Sequence, residues 1–219
     1  MMGKRIRRLA REEDGLSLTE ALLTLPVVLI VISAFVEFGF GLFQWSQTVK
    51  SLQLGARLAA VSDPVTDVSS LAADLSGGLP GDPAPGFDET DVVRCGGSGP
   101  ACSETEAFNR LFYGSRIGTE LYECDSNYGT RAPGICDFNP TLEPENIVVT
   151  YARSGLGYTD RPGPASGLVM TITLETENHT FDLPLLGALL GVNRFEIPAL
   201  PVTVTSEDLT KCREWDGTC

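Results

Sequence analysis

The 219-residue sequence has one histidine, three methionines and two tryptophans, and its 16 Lys and Arg are outnumbered by 29 Asp and Glu. Each shortage closes off a class of function. A single His, with no HExxH and no paired His, gives no starting point for a His-rich metal centre. The basic deficit leaves a formal charge of −13. Sequence-independent binding to DNA or RNA needs a surplus of Lys and Arg against phosphate, so no nucleic-acid partner is expected. No GxSxG, P-loop or Cys/His dyad occurs, and the chain is expected not to be an enzyme and to carry no cofactor. No CxxC spacing suggests zinc, and Asp63, Asp67 and Asp74 match no calcium loop. A hydrophobic share of 42% fits neither a disordered acidic tail nor a multi-span membrane protein.

What is there is unevenly spread. Residues 1–15 hold Lys4, Arg5, Arg7, Arg8 and Arg11 against Glu12, Glu13 and Asp14, a net +2, so the other 204 residues carry −15. A basic leader before an apolar run keeps the N-terminus in the cytoplasm and sends the remainder outward. From Leu16 to Val36 the sole ionisable residue is Glu20, and from there to Phe43 the sole further one is Glu37. Twenty-one residues at the helical rise cover roughly 31 Å, about one hydrocarbon core. Phe38, Phe40, Phe43 and Trp45 follow, as in an interfacial aromatic belt. Pro26 inside the run is tolerated in membrane helices. A secretory signal peptide is the rival, but its apolar region is shorter and ends at a cleavage site, whereas here the helical pattern continues. Trp45, Val49, Leu52, Ala56 and Ala59 form one row, with Leu54, Leu58 and Val61 beside it. The spacing predicts one helix over residues 16–61 with a transmembrane N-terminal half.

Residues 62–102 are crowded with Pro and Gly and are expected to form a linker, with a short helix at 67–75. Residues 103–219 are expected to form an α+β domain with a small antiparallel sheet. Ser103 and Glu106 fit a capping box opening a helix at 104–113. Strands are expected at 146–151, 168–176 and 196–205, the last entering at a sheet edge because of Pro198 and Pro201. Between the last two lies Leu183-Pro184-Leu185-Leu186-Gly187-Ala188-Leu189-Leu190-Gly191, too short to span a bilayer. It reads first as a buried helical turn beneath the sheet, with a surface docking on the membrane or a partner as the alternative. His179 is expected to be a solvent-facing or hydrogen-bonded loop residue, and Asn178-x-Thr180 fits a short glycosylation sequon.

Six cysteines fall as local pairs: Cys95 and Cys102, Cys124 and Cys136, Cys212 and Cys219. An even count outside the cytoplasm points to disulfides. Of 15 connectivities, sequential pairing is favoured. Each bond would then contribute roughly 2.5–3 kcal/mol in the chain-entropy picture.

The junction between leader and apolar run reads Glu13-Asp14-Gly15-Leu16-Ser17-Leu18-Thr19-Glu20-Ala21, followed by Pro26. It resembles a type IV prepilin signal, which a prepilin peptidase cuts after the glycine, leaving glutamate as the fifth mature residue. Gly-x4-Glu-x5-Pro, then Val36-Glu37-Phe38-Gly39 and Gly55-Ala56-Arg57-Leu58-Ala59-Ala60, is similar to the TadE-like family of pilus assembly proteins. The resemblance covers residues 12–61. It departs at Ala21, where the family usually has Phe. It implies processing between Gly15 and Leu16 and a minor pilin or pseudopilin of a Tad-type pilus for surface adherence. It also implies a single pass in the bacterial inner membrane with a periplasmic domain. The partners it implies are the peptidase, other pilins, the inner-membrane assembly platform and membrane lipid. Glu20, costing about 2.5–3.5 kcal/mol in hydrocarbon, is ascribed either to snorkelling to the cytoplasmic interface one turn away or to pairing with the free α-amine of a neighbouring subunit's Leu16 during assembly. Glu37 is ascribed either to interfacial solvation or to contact with a partner helix; Gly39 and Gly41 would permit close approach there. The alternative function is an unprocessed, signal-anchored periplasmic binding or adhesion module.

Overall fold

The structure is a computed structural model and describes residues 14–72, 81–84, 86, 91–114, 123–124, 132–158, 168–182, 187, 191, 194–196 and 201–206. Two compact units are present, one of residues 1–43 with 181–195, the other of residues 44–180 with 196–219.

Helix α1 runs from Asp14 to Ala60, about 70 Å at the α-helical rise. It continues through Pro26, where the ring removes one backbone donor. Arg57 in the last turn complements the negative end of the helix dipole. Val61 N–H donates to the Leu58 carbonyl at 3.3 Å and the Ser62 hydroxyl donates to the same oxygen. Asp63-Pro64 then stops the helix, because a residue before proline disfavours helical backbone.

In the second unit α1 has a buried face of Thr48, Ser51, Leu52, Gly55, Ala56, Ala59 and Ala60, at the three- and four-residue steps of one helical stripe. The expected row is confirmed at Leu52, Ala56 and Ala59. It is corrected elsewhere: Val61 is exposed, and Thr48, Ser51 and Gly55 are buried in addition. Small residues win because the helix is pressed close to its neighbours. A Cβ on Gly55 would lie 2.7 Å from the Ile135 side chain and 2.9 Å from Leu174 Cδ2.

The core partner of this stripe is a four-stranded antiparallel sheet in the order β1 (Val92–Gly96), β2 (Ile147–Gly157), β3 (Leu168–Thr176), β6 (Val202–Thr205). In β3, Met170, Ile172 and Leu174 are buried while Thr171, Thr173 and Glu175 between them are not, the period-two pattern of a half-buried strand. Register aligns Val93 with Tyr151, Tyr151 with Ile172 and Ile172 with Val204, so one sheet face carries the core. Thr150, Thr173 and Thr203 align across the other face, and the Thr173 and Thr203 hydroxyls are 3.1 Å apart. The register of β2 and β3 shifts between Arg153 and Leu156, a bulge near the strand's end. The fold is therefore α+β, a long apolar N-terminal helix followed by a small antiparallel sheet.

Short elements complete it. Helix α2 is Ser69–Ala72, α3 is Thr105–Tyr113 and α4 is Ile135–Phe138, and a 3-10 turn at Pro144–Asn146 leads into β2. β6 begins directly after Pro201 at the sheet edge, as the prolines require. The Ser103–Glu106 capping box does not form. Glu104 is the N-cap of α3 and makes no side-chain cap bond, because the Ser103 hydroxyl is engaged elsewhere, accepting from Asp67 N–H at 3.1 Å. Strand β1 falls inside the stretch expected to be a linker, whose Val65, Val68 and Leu71 also enter the core. Strands β4 (Thr180–Asp182) and β5 (Arg194–Glu196), absent from the expectation, pair as a separate two-stranded sheet. Most of Leu183–Gly191 lies outside the described residues.

Candidate membrane helix and its acidic residues

The first half of α1 differs from the second in what its surface touches. Every side chain from Thr19 to Ile32 is exposed. The most apolar 18-residue window of the helix has a mean hydropathy of 2.4, which makes it long and apolar enough to cross a membrane. Exposed apolar surface on this scale marks a membrane or a partner, since soluble monomers rarely leave such patches in water. The two halves differ because Leu, Val, Ile and Phe occupy all sides of residues 22–43, whereas the later turns alternate small residues with Gln, Lys and Arg.

Gly15 and Leu16 lie in the first turn of α1. Glu20, one turn further on, is exposed. Glu37 lies 17 residues away, about 26 Å along the axis, so the fold does not bring the two carboxylates together. Glu37 is only 3% exposed, between Val36 at 57% and Phe38 at 68%. Among the described residues, a Cβ on Gly39 or Gly41 would meet nothing within 4 Å, so neither glycine is used there for a close approach.

In the second unit polar groups tie the helix and its exit to the sheet. Asn139 Nδ2 donates to Thr48 Oγ1 at 2.9 Å, and the Ser51 hydroxyl donates to the Thr48 carbonyl at 2.7 Å. Val65 N–H donates to Tyr151 Oη at 3.1 Å. Burial pushes the Tyr151 phenol up to about 12, with the Val65 bond opposing. Arg153, 4% exposed, donates through Nε to the Leu71 carbonyl at 2.7 Å and pairs through Nη1 with Asp91 at 2.9 Å. On the far end of β3, Glu177 accepts from the Ser98 hydroxyl and N–H. Those bonds, then the Arg94 guanidinium, hold its carboxyl below the usual range. His179 is buried rather than solvent-facing, and desolvation lowers its pKa. None of these tie points was visible in the sequence. Tyr151 ended the expected strand and Arg153 lay beyond it, and the partners that give them a role lie more than 60 positions away.

The cysteine expectation holds for two pairs. Cys95 bonds Cys102 with Cα atoms 4.9 Å apart, and Cys124 bonds Cys136 at 5.4 Å. Cys95 and Cys136 are buried in the core. Cys212 and Cys219 lie outside the described residues. Among the described residues no group of three or more His, Cys, Asp and Glu is placed to hold a metal ion. The arrangement as a whole is a helix with an exposed apolar half, a packed half and two acidic residues of opposite burial. No protein-family model, no curated protein and no solved structure matches this chain.

Proposed function

We propose that this protein is a single-pass membrane component of a Tad-type pilus assembly system, a minor pilin or pseudopilin similar to the TadE-like family. The observation that carries it is the position of the Gly15, Glu20, Pro26 pattern at the head of a helix whose first half is apolar on every side and whose second half is packed on a disulfide-bonded domain. A protein that works by subunit contact needs such a division. The apolar half sits in the bacterial inner membrane and meets other pilins and the assembly platform. The packed half belongs to the domain, which lies in the periplasm. Prepilin peptidase removes residues 1–15, taking away five basic side chains and leaving Leu16 with a free α-amine. Glu20 then lies one turn inside the hydrocarbon, where a carboxylate is costly unless paired. The neighbour's new N-terminus supplies the charge, and the pairing sets register between helices.

Intact mass of the membrane-extracted protein tests this. Loss of residues 1–15, abolished by Gly15→Ala together with assembly, is the expected result. Retention of the leader, with Gly15→Ala fully functional, would leave an unprocessed membrane-anchored binding or adhesion module instead.

A further inference from the structure

The four-stranded sheet has a second face, opposite the core, and its register sets that face out in rows. Arg94, Thr150, Thr173 and Thr203 align in one row, and Val92, Ala152, Thr171 and Thr205 in the next. Beyond the bulge Leu156 aligns with Val169, which precedes the buried Met170 and so lies on this face too. On the other side of the Arg94 row, Glu175 aligns with Val148. The face therefore runs from a charged end, through threonines, to an aliphatic end. The aliphatic end is open, with Val92 39% exposed and Leu156 57% exposed. Thr203 and Thr205 are exposed as well.

Charge on this face is divided about β2. Arg94 stands on β1, to one side of β2, and Glu175 on β3, to the other. The two side chains meet at 3.0 Å. A two-fold axis along β2 exchanges the sides, so it lays Arg94 of each copy against Glu175 of the other. It also keeps every row at its own level, with aliphatic on aliphatic and threonine on threonine. An axis across the strands would instead set the charged end on the aliphatic end, which costs desolvation without a partner. A formal charge of −13 makes copies of this chain repel one another over their acidic surface. The face around β2 is where two copies meet with opposite charges aligned.

We propose that this face pairs with the same face of a second copy, isologously, through a two-fold axis along β2. Four strands about 4.8 Å apart and four rows about 7 Å apart cover roughly 500 Å². Stable complexes bury about 800 Å² per partner. The contact therefore joins copies already confined to one membrane, where effective concentration is high, and not free domains. In that respect it rests on the membrane-spanning reading of α1.

The test uses the full chain, as a mixture of isotopically heavy and light copies, in phospholipid vesicles that are then floated. The photocrosslinker p-benzoylphenylalanine replaces Leu156, beside the axis, or Glu106 on α3, whose side chain is 81% exposed. Irradiation is expected to give a heavy–light homodimer from position 156 and none from position 106. Arg94→Glu should lose most of that product, and Arg94→Glu/Glu175→Arg should restore it, in variants whose circular dichroism matches the parent. No homodimer from position 156, an equal yield from position 106, or a yield indifferent to Arg94→Glu overturns the pairing and leaves the membrane helix standing. Failure of the double variant to restore the product also overturns it. So does crosslinking of position 156 in cell membranes to other proteins alone. A chain that does not float with the vesicles overturns the membrane reading and the pairing together.

Discussion

Gly55 offers the sharpest quantitative test of how the helix is joined to the domain. In an exposed helix interior, replacing glycine by alanine stabilises by about 1 kcal/mol, because glycine loses more backbone freedom on folding. At Gly55 the sign reverses. The added Cβ would lie 2.7 Å from two carbons of Ile135 and 2.9 Å from Leu174 Cδ2, where carbon contacts normally sit at about 3.5–4.0 Å. Ile135 and Leu174 are both 0% exposed, so neither has free space to move into. Overpacking of this kind costs roughly 1–3 kcal/mol. Set against the propensity gain, Gly55→Ala should lose on the order of 1 kcal/mol, and Gly55→Val more. Gly39→Ala is the control, since nothing lies within 4 Å of its added Cβ; it should lose nothing. The assay is guanidinium unfolding of the full chain in detergent micelles, followed by near-ultraviolet circular dichroism. A Gly55→Ala variant as stable as, or more stable than, the parent and Gly39→Ala would refute the close packing of helix on sheet.

Tyr151→Phe removes the acceptor for the Val65 N–H and should cost about 1–3 kcal/mol at neutral pH, as expected for a buried unpaired donor. The Tyr151 phenol in the folded state is pushed up to about 12, so the parent's contribution is complete below the unfolded value near 10 and is lost as pH rises to about 12. Unfolding measured across that window should therefore show the gap between parent and Tyr151→Phe narrowing; a constant gap would count against the assignment. Glu20→Ala should remain in the membrane fraction yet be absent from assembled pili, measured by fractionation and by immunoblotting of sheared filaments. Normal incorporation would refute charge pairing by Glu20.

The parts of the fold that were legible in the sequence are those set by local pattern. The 16–61 helix was read within two residues at its start and one at its end, because apolar continuity and helical spacing act over a few turns and Asp63-Pro64 marks the stop. Strand β3 was read over its full length, because one face is buried and the other is not. Strand β1 was not read. Val92-Val93-Arg94-Cys95 is too short to show a period, and it sits among glycines; Gly96, the last residue of β1 at φ +89, is needed because a Cβ there would run into the Ile147 carbonyl. The capping box failed for the same kind of reason. A local motif competes with distant donors, and the Asp67 N–H, 36 positions away, took the Ser103 hydroxyl.

For the candidate site the division is similar. Residue order alone located the apolar span with Glu20 and Glu37 as its two charges, and it favoured the sequential bonds Cys95–Cys102 and Cys124–Cys136 that the structure contains. Which acidic residue is exposed and which is buried was decided only by the fold. So was the role of Gly55, which ordinary propensity counts as a defect and which the approach of Ile135 and Leu174 turns into a requirement. Burial, close approach and the pairing of Tyr151 with Val65 or Arg153 with Leu71 and Asp91 are properties of residues far apart in the chain. They exist only once folding has brought those residues within a few ångströms of one another.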